Sequence, residues 1–277
     1  MPELPEVETM RRGILSIVGS RIAEVRLPRC RKRPILIAPS PAALRRRAVG
    51  QKIVAVERVG KRVVVRLESK DAIVFEPRMT GLVLLTSPPT LEHLRLRIVL
   101  DGSPARELLF WDRRGLGLVR LVRQAEFETH YGQSKLGPDA LALSCEDLAA
   151  RLRKSRRPIK VALLDQAALA GVGNLYASEI LHLARVDPRR PCNALGKAEW
   201  KRVHAAMLEV LHAAIQHEGS TLSDGTYRNA LNEEGSYQNK HRVYDRAGQR
   251  CGRCLRGQIE RIVQAQRSTF FCAKCQK

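Results

Sequence analysis

Four cysteines near the C-terminus constrain the fold of this chain more than any other feature. Cys251 and Cys254 form one Cys-x2-Cys pair, and after 17 further residues Cys272 and Cys275 form a second. This spacing is typical of a ribbon in which two turns each offer two thiolates to a tetrahedral Zn²⁺. Two disulfides are the alternative, but they suit an oxidising compartment rather than the cytoplasm. Because four protein ligands leave no open coordination position, the pattern predicts one structural zinc ion.

The net charge indicates a polyanionic partner. The 277 residues include 49 Lys and Arg against 28 Asp and Glu, which gives a net charge of +21. Nucleic acid is the usual partner of such an excess, and an anionic membrane is the competing one. No apolar run approaches the roughly 20 residues of a membrane-spanning helix, so no membrane partner is expected. The start, MPELPEVETM, has three glutamates where a signal peptide is basic and then apolar. We therefore expect a cytoplasmic, nucleoid-associated protein.

The segment that contains the four cysteines is itself basic. Residues 240–277 contain ten Lys and Arg against two acidic residues, so we expect a rigid basic hairpin. Arg267 precedes Cys272 by five residues, a spacing that puts it near the hairpin turn, where it can reach a phosphate or a groove. A solvated surface arginine is the alternative that spacing alone leaves open.

Hydrophobic periodicity predicts two kinds of structure along the chain. Residues 5–18 have apolar residues at roughly helical spacing, and Pro5 lies near the first helical position. From about residue 21 the period changes to two, and IVAVERVGKRVVVRL is typical of two strands joined at Gly60-Lys61. Up to about residue 123 we therefore expect a β-sandwich preceded by one helix.

The middle of the chain has helical periodicity. The segments CEDLAARLRK, PIKVALLDQ, NLYASEILHLA and KAEWKRVHAAMLEVLHAAIQ all show it, and short strands return from about residue 240. The predicted fold class is α+β, with an N-terminal β-sandwich domain over 1–135, a helical domain over 136–240 and the four-cysteine zinc ribbon over 241–277.

Three segments resemble the formamidopyrimidine-DNA glycosylases, with the endonuclease VIII family close behind. They are MPELPEVETMRRG at the start, LAGVGNLYASEIL in the middle, which is similar to the family's helix-two-turns-helix element, and AQRSTFFCAKCQ at the end. Their order is the order in the family. The resemblance implies a β-sandwich with flanking helices, followed by a helical domain with a zinc ribbon, in agreement with the periodicity.

The resemblance also implies an N-terminal proline as the nucleophile. A glycosylase must displace a base from C1′ of a deoxyribose, and an amine makes this step covalent. Pro2 provides that amine once Met1 is removed. The pKa of an α-amine is about 8, so a useful fraction is neutral near pH 7, unlike a lysine side chain at about 10.4. Because proline is a secondary amine, its Schiff base stays positively charged and acidifies the C2′ proton for elimination.

Further roles follow from the resemblance residue by residue. Glu3 is implied as the proton donor for departure of the base, Glu6 as a support of the reacting centre, and Lys61 as the essential lysine beside the lesion phosphate. Arg267 in the ribbon joins this catalytic group. Without the motif, both glutamates would be ordinary charges at a helix N-terminus, and Lys61 a surface lysine in a turn.

Other positions are implied as contacts to DNA. A flipped-out base leaves a gap that the protein must fill, and Leu116 stands where the family usually has Phe, so the stacking face of an aromatic ring is lost. The EPRMTG context also departs from the family's histidine-containing version. The implied DNA-binding residues are His93, Arg114, Lys160 and Asn174, and the implied void-filling residues are Met79, Arg114 and Leu116.

Together these features predict a monomeric bifunctional enzyme of base excision repair. We expect a DNA-formamidopyrimidine glycosylase and apurinic/apyrimidinic-site lyase that excises 8-oxoguanine and formamidopyrimidines from duplex DNA by β,δ-elimination. Its partner would be double-stranded DNA that contains oxidised bases or abasic sites. The alternatives are an endonuclease VIII-like enzyme for oxidised pyrimidines and a non-catalytic protein that binds damaged DNA.

Overall fold

The structure, a computed structural model, describes residues 2–102, 104–132 and 134–277. The chain divides into two compact units. Unit 1 contains residues 1–132 and 215–238, and unit 2 contains residues 133–214 and 239–277. These two compact units are defined differently from the three domains predicted from the sequence. The domain boundaries 1–135, 136–240 and 241–277 therefore stay a prediction.

Unit 1 is a sandwich of two sheets. One sheet has the strand order β1-β7-β8-β6, and the other has the order β2-β9-β5-β4-β3, with only the β2-β9 pair parallel among the described strands. The core fills the space between the sheets, and one face of the first helix packs against it. This confirms the predicted sandwich. Its elements are α1 (Leu4–Gly13), β1 (Arg21–Arg26), β2 (Leu36–Ala38), α2 (Pro41–Ala48), β3 (Ile53–Val59), β4 (Arg62–Leu67), β5 (Ala72–Glu76), β6 (Gly81–Leu84), β7 (Leu94–Asp101), β8 (Glu107–Asp112), β9 (Leu118–Val122) and α3 (Gln124–Tyr131).

The first helix is shorter than its periodicity predicts. Pro5 occupies its first turn, where the missing N–H costs nothing, and basic residues at its end suit the helix dipole. The predicted helix over 5–18 is wrong beyond Gly13, because Ile14 leaves the helical region at φ −105°, ψ 9°. A 3₁₀ turn over Leu15–Ile17 follows and keeps Ile14 and Ile17 fully buried.

Unit 2 combines helices with the ribbon. The predicted helical segments are confirmed, although PIKVALLDQ yields only five helical residues. The elements are α4 (Cys145–Leu152), α5 (Ile159–Leu163), α6 (Asn174–Ala184), α7 (Lys197–Gln216, whose last two residues group with unit 1), β10 (Glu260–Gln264) and β11 (Arg267–Phe271). No helix in the described part of the chain is long and apolar enough to cross a membrane.

A buried carboxylate attaches the ribbon to α6. Glu179 is fully buried and accepts backbone hydrogen bonds from Arg242, Val243 and Tyr244 at 2.8, 2.9 and 2.8 Å. Burial raises the pKa of Glu179, although the three N–H donors oppose that rise. The segment that leads into the ribbon is therefore fixed on the helix that begins at Asn174.

Candidate functional site

The chain start is buried at the N-terminal end of α1. Pro2 is buried, and Glu3 is 3% exposed. Pro2 lines a cavity of about 10 Å³ together with Met79, Thr80 and residues of the 220–227 segment. That volume holds about one water molecule. Met1, whose removal would free the Pro2 amine, lies outside the described residues.

Glu6 connects the chain start to a distant segment of unit 1. One of its carboxylate oxygens accepts the Glu3 N–H at 2.9 Å, and the other accepts the Ser220 N–H, also at 2.9 Å. Gly219 has φ +80°, and a Cβ there would lie 2.8 Å from the Glu6 carboxylate, so only glycine fits this approach. The carboxylate of Glu6 therefore holds the 219–220 backbone beside Pro2 and Glu3.

Tyr227 packs against this cluster. It is 5% exposed, and its hydroxyl donates to the Glu218 carbonyl at 2.9 Å. Burial, and then the negative charge of Glu6, raise the pKa of Tyr227 well above its usual value. The phenol consequently stays protonated and keeps its donor role over the physiological pH range.

Lys61 lies in the two-residue turn of the β3-β4 hairpin. Gly60 takes φ 57°, the left-handed conformation that tight hairpin turns need. Arg58 fixes this turn, since its guanidinium donates to the Gly60 carbonyl at 3.0 Å and to the carboxylate of Glu8 at 3.1 Å. Glu8 belongs to α1, so the turn with Lys61 is attached to the same helix that begins next to Pro2 and Glu3.

The charge of Glu8 is strongly stabilised. Burial by itself raises its pKa, but hydrogen bonds from Arg11 and Arg12 outweigh burial, and with the charge of Arg58 they lower the pKa to about 2. The carboxylate is therefore ionised under all physiological conditions and keeps Arg58 in place.

One buried aspartate organises the loop that contains Arg114 and Leu116. Asp112 is fully buried and accepts hydrogen bonds from the Thr80 hydroxyl, from the Arg114 N–H at 3.2 Å and from the Gly117 N–H at 2.7 Å. The Thr80 hydroxyl in turn accepts the Arg114 N–H at 3.0 Å. The three predicted void-filling residues thus lie on two connected segments, with Met79 and Arg114 exposed and Leu116 half-buried.

The EPRMTG segment contains an ion cluster around one carboxylate. Glu76, at the end of β5, accepts the Tyr131 hydroxyl at 3.1 Å and pairs with Arg62 at 3.5 Å and Arg78 at 3.1 Å. Arg62 follows Lys61, and Arg78 precedes Met79. One carboxylate therefore contacts both the hairpin of Lys61 and the turn of Met79.

His93 immediately precedes β7, at the end of a 3₁₀ turn, and its side chain is 15% exposed. Its ring meets that of Trp111 edge to face at 5.6 Å between centroids, and its Nε2 lies 3.8 Å from the Glu92 carboxylate. The indole N–H of Trp111 donates to the Thr90 carbonyl at 2.8 Å, which fixes the surface against which His93 packs.

In unit 2, Lys160 and Asn174 form one polar cluster. Lys160 is fully buried, and its ammonium donates to the Asn174 side-chain oxygen. The Asn174 amide donates to the Ser268 carbonyl at 3.0 Å. Gln166 fixes the loop before α6 through bonds to Gly171 and Val172 at 3.0 and 2.8 Å. The start of α6 is therefore connected to the ribbon.

Arg267 is the first residue after the ribbon's hairpin turn. Ala265 and Gln266 form that turn with φ 46° and 59°, and Gln264 pairs with Arg267 across it. Two left-handed residues define a type I′ turn, which matches the twist of the strands. Arg267 is exposed and is adjacent to Ser268, whose carbonyl binds Asn174.

The four clustered cysteines fit a tetrahedral zinc ion. Their sulfurs all lie within 4.8 Å of one another. The Cys251–Cys275 and Cys254–Cys272 sulfur separations are 3.8 and 3.7 Å. Four thiolates at about 2.3 Å from one ion lie about 3.8 Å apart, so the donor set and the spacing both fit one structural Zn²⁺. Four such ligands complete a tetrahedral shell and leave no position for substrate.

The predicted site residues are divided between the two units. Unit 1 contains Pro2, Glu3, Glu6, Lys61, Met79, His93, Arg114 and Leu116, and unit 2 contains Lys160, Asn174, Arg267 and the zinc ligands. Sequence reasoning missed Glu8, Glu76 and Asp112, which position these residues. Glu8 could have been found as the third glutamate of the MPELPEVETM motif. No sequence motif singled out Glu76 or Asp112.

Three family models match the chain in succession. Residues 1–119 match the formamidopyrimidine-DNA glycosylase N-terminal domain, and residues 136–226 match the formamidopyrimidine-DNA glycosylase H2TH domain. Residues 248–277 match the zinc finger found in FPG and IleRS.

Relatives and solved structures agree with these models over the whole chain. A formamidopyrimidine-DNA glycosylase of Chloroflexus aurantiacus is 38% identical over 283 residues, which cover 100% of this chain and 98% of that protein. The crystal structure of the MutM (Fpg) protein from Thermus thermophilus superposes with TM-score 0.86 at 38% identity, covering 99% and 98% of the two chains. A Lactococcus lactis FPG mutant in complex with a Fapy-dG containing DNA gives TM-score 0.87 at 30% identity, covering 100% of both chains. The chain belongs to the formamidopyrimidine-DNA glycosylase family.

Proposed function

We propose that this protein is a DNA glycosylase and abasic-site lyase that removes oxidised purines in base excision repair, with the Pro2 amine as nucleophile. The observation that carries the proposal is the burial of Pro2 and Glu3 beside the Glu6–Ser220 contact, next to a cavity bordered by Met79. A buried secondary amine beside a carboxylic acid is the arrangement that covalent base displacement needs.

The reaction begins with attack of the Pro2 nitrogen on C1′. A bond forms between nitrogen and C1′, the glycosidic bond breaks, and the base leaves after it receives a proton. Glu3 adjoins Pro2 and supplies that proton. The Pro2 nitrogen then gives up its own proton, which passes through the Glu3 carboxylate to the ring oxygen O4′ as the C1′–O4′ bond breaks and an iminium forms. The resulting iminium withdraws electrons, so loss of the C2′ proton and of the 3′ phosphate follows, and a second elimination releases the 5′ phosphate.

Glu6 acts on this centre through the backbone. It holds the amides of Glu3 and Ser220 at 2.9 Å each and so fixes the proton donor relative to the nucleophile. A catalytic group displaced by about 1 Å loses on the order of 100-fold in rate. We therefore assign Glu6 as a positioning residue.

The cationic residues bind the DNA backbone. Lys61, in the turn fixed by Arg58, contacts a phosphate beside the lesion. The start of α6 with Asn174 and Lys160 provides a second phosphate contact, and Arg267 a third. His93 and Arg114 extend these contacts along the damaged strand.

Base extrusion requires both a wedge and a receiving pocket. Met79, Arg114 and Leu116 fill the gap left in the duplex. The cavity of about 10 Å³ beside Pro2 is far smaller than a purine, so the segment 220–227 must move to admit the base. A bound duplex places the enzyme where the chromosome lies, in the cytoplasm at the nucleoid.

Borohydride trapping on 8-oxoguanine duplex tests the assignment. The mature protein should give a covalent DNA adduct, and a Pro2→Gly variant should give at most a trace. Glu3→Gln should bind the duplex normally but lose base release, because the proton donor is absent. Equal trapping by Pro2→Gly would move the nucleophile to another amine, and unchanged base release by Glu3→Gln would remove the role of Glu3.

A further inference from the structure

A pocket of about 370 Å³ lies near the zinc-ligating cysteines of unit 2. Four arginines line it, namely Arg242, Arg246, Arg250 and Arg253, and we call it the arginine pocket. The remaining lining residues include two histidines and no acidic residue. Since arginine is always protonated in proteins, the pocket is a concentrated positive charge.

The charge of these arginines is largely unneutralised. Among the described residues, only Arg242 of the four has a carboxylate within ion-pair distance, that of Glu209 at 3.6 Å, and Glu209 is 61% exposed. Arg253 donates to the carbonyls of His182 and Leu183 at 2.9 Å each. Carbonyl oxygens fix a guanidinium but leave its net charge in place. The pocket therefore has the electrostatics of an anion site.

A buried histidine also lines the pocket. His241 lines the pocket and is 7% exposed. Burial first, and then the charge of Arg246, lower the pKa of His241 to about 4. The imidazole is neutral near pH 7 and can donate or accept a hydrogen bond without adding charge.

The positive surface continues beyond the pocket. Arg253 also borders an adjoining open depression, together with Arg185, Arg256 and Lys274. An extended cationic surface with a deep arginine-lined pocket suits a polyphosphate better than a single small anion, because each further phosphate finds a further cation.

The arginine pocket is separate from the phosphate contacts proposed above. Arg253 binds the C-terminal carbonyls of α6, whereas Asn174 is the first residue of that helix. At 1.5 Å per residue, the 11 residues of α6 separate its ends by about 15 Å. Phosphates of one DNA strand repeat about every 3.4 Å along the axis, so this distance corresponds to roughly four base pairs.

We propose that the arginine pocket binds backbone phosphates of DNA away from the lesion. Guanidinium groups bind phosphate oxygens in bidentate fashion, and two or more of them can converge on one phosphate. The contact is independent of sequence and of damage, so it adds affinity for any duplex and helps the protein stay on DNA while it searches. The inference depends on duplex DNA as the substrate but not on the assigned roles of Pro2 and Glu3.

The salt dependence of DNA binding tests the proposal. The pocket variant Arg242→Gln/Arg246→Gln removes two charges without touching a cysteine loop. The matched control Arg151→Gln/Arg153→Gln removes two exposed charges from the region of α4. Both are titrated with a 30-base-pair duplex that contains a non-cleavable abasic analogue. Each phosphate contact adds about 0.9 to the steepness with which log K falls as log salt rises. The slope of the pocket variant should therefore be shallower by about one to two. The control should keep it, and equal slopes for both variants would overturn the proposal.

Four further measurements complete the test. Zinc content and thermal unfolding establish that both variants fold. Base release at saturating protein should match that of the unaltered chain, and a fall in that rate would place these arginines in the catalytic reaction and overturn the proposal. Titration of inorganic phosphate in the absence of DNA distinguishes the source of the phosphate. If the pocket variant loses phosphate binding while its DNA slope is unchanged, the pocket serves a small phosphate ligand instead of DNA.

Discussion

Individual residues in this protein act mainly through hydrogen bonds to backbone groups of other segments. Glu6 binds the Glu3 and Ser220 amides, and Asp112 binds the Arg114 and Gly117 amides. Both carboxylates are buried, where an unpaired N–H would cost about 1–3 kcal/mol. Loss of such an acceptor should therefore disturb the geometry of a whole loop rather than one contact.

Glu8 makes a pH-dependent contribution to stability. Its pKa of about 2 in the folded state lies below the ordinary 4.5, so its stabilising effect is fully present above about pH 5 and is lost as the pH falls towards 2. The pKa shift sets an upper limit of about 3 kcal/mol on the contribution of the Glu8 charge to the free energy of unfolding. Glu8→Gln should lower the free energy of unfolding at pH 7 by about 1–3 kcal/mol, and the difference should shrink as the pH falls from about 5 to about 3.

Denaturant titration of a Trp200→Phe background measures this effect, because Trp111 then reports on unit 1. Glu24→Gln removes an exposed partner of Arg26 and serves as the control, with an unchanged midpoint expected at pH 7. A pH-independent loss in Glu8→Gln would show that packing, and not charge, accounts for its effect.

Residue identity was predictable from sequence where chemistry demands a rare pattern. The cysteine spacing indicated the zinc ligands, and the resemblance of the chain start to the glycosylase family implied Pro2 and Glu3 as the candidate nucleophile and acid. The positioning residues were not predictable. Glu76 and Asp112 are the last residues of two largely apolar strands. Asp112 has a partner 32 residues away and Glu76 one 55 residues away, and only the folded chain brings them near.

At the scale of elements, long periodic segments were predicted best. The limits of α6 and α7 agree with the segments NLYASEILHLA and KAEWKRVHAAMLEVLHAAIQ, and the β3-β4 hairpin turns at Gly60-Lys61 as expected. The helices α2 and α3 were missed, because eight residues present only two buried apolar positions each. In β1 a bulge between Ile22 and Glu24 interrupts the period of two, so that the buried residues Ile22 and Val25 are three positions apart.

The loop that presents Arg114 should depend on Asp112. Asp112→Asn replaces one carboxylate oxygen, a hydrogen-bond acceptor, by an NH₂ group, which is a donor. That NH₂ group then faces another donor, either a backbone N–H or the Thr80 hydroxyl, and one hydrogen bond is lost. Stability should fall by about 1–3 kcal/mol, and the preference for a lesion duplex over an intact one should decrease. Competition binding with the two duplexes measures that ratio, and the exposed Asp101→Asn is the control. An unaltered ratio would separate this loop from lesion recognition.

The carboxylate of Glu76 should join the Lys61 hairpin to the Met79 turn. Glu76→Gln keeps the shape but leaves Arg62 and Arg78 without this ionic partner, so we expect a loss of about 1–3 kcal/mol and slower base release. The control is Glu57→Gln, whose partner Arg66 lies in a half-exposed pair at 2.9 Å, worth less than about 1 kcal/mol. Single-turnover kinetics at saturating protein give the rate, and equal rates in the two variants would contradict a positioning role.

At the scale of the whole molecule, the residues with proposed functions are distributed over two compact units. Unit 1 contains the proposed nucleophile and the proposed wedge residues, whereas unit 2 contains the zinc site and the other proposed phosphate contacts. Periodicity predicted a sandwich followed by helices and a ribbon. It did not predict that residues 215–238 return to unit 1, because that grouping depends on contacts such as Glu6 with Ser220 and not on local periodicity.

Removal of zinc should therefore affect the units unequally. A structural zinc site supplies folding free energy directly, so a chelator should unfold the ribbon and displace Arg267. Affinity for a lesion duplex should fall by about tenfold or more, as expected when phosphate contacts are lost, while the Trp111 signal of unit 1 persists. Fluorescence and binding measured on the same chelated sample check this, and re-addition of Zn²⁺ should restore affinity. Binding that survives complete chelation would mean that the ribbon is dispensable.

The burial of Pro2 has a practical consequence for anyone who prepares this protein. An affinity tag fused before Pro2 would convert its amine into an amide. The tag would also have to be accommodated at a buried position. The opposite terminus offers a safer place, since Lys277 is exposed. Recombinant material should accordingly be tagged after Lys277 and its first residue read by Edman chemistry before any assay.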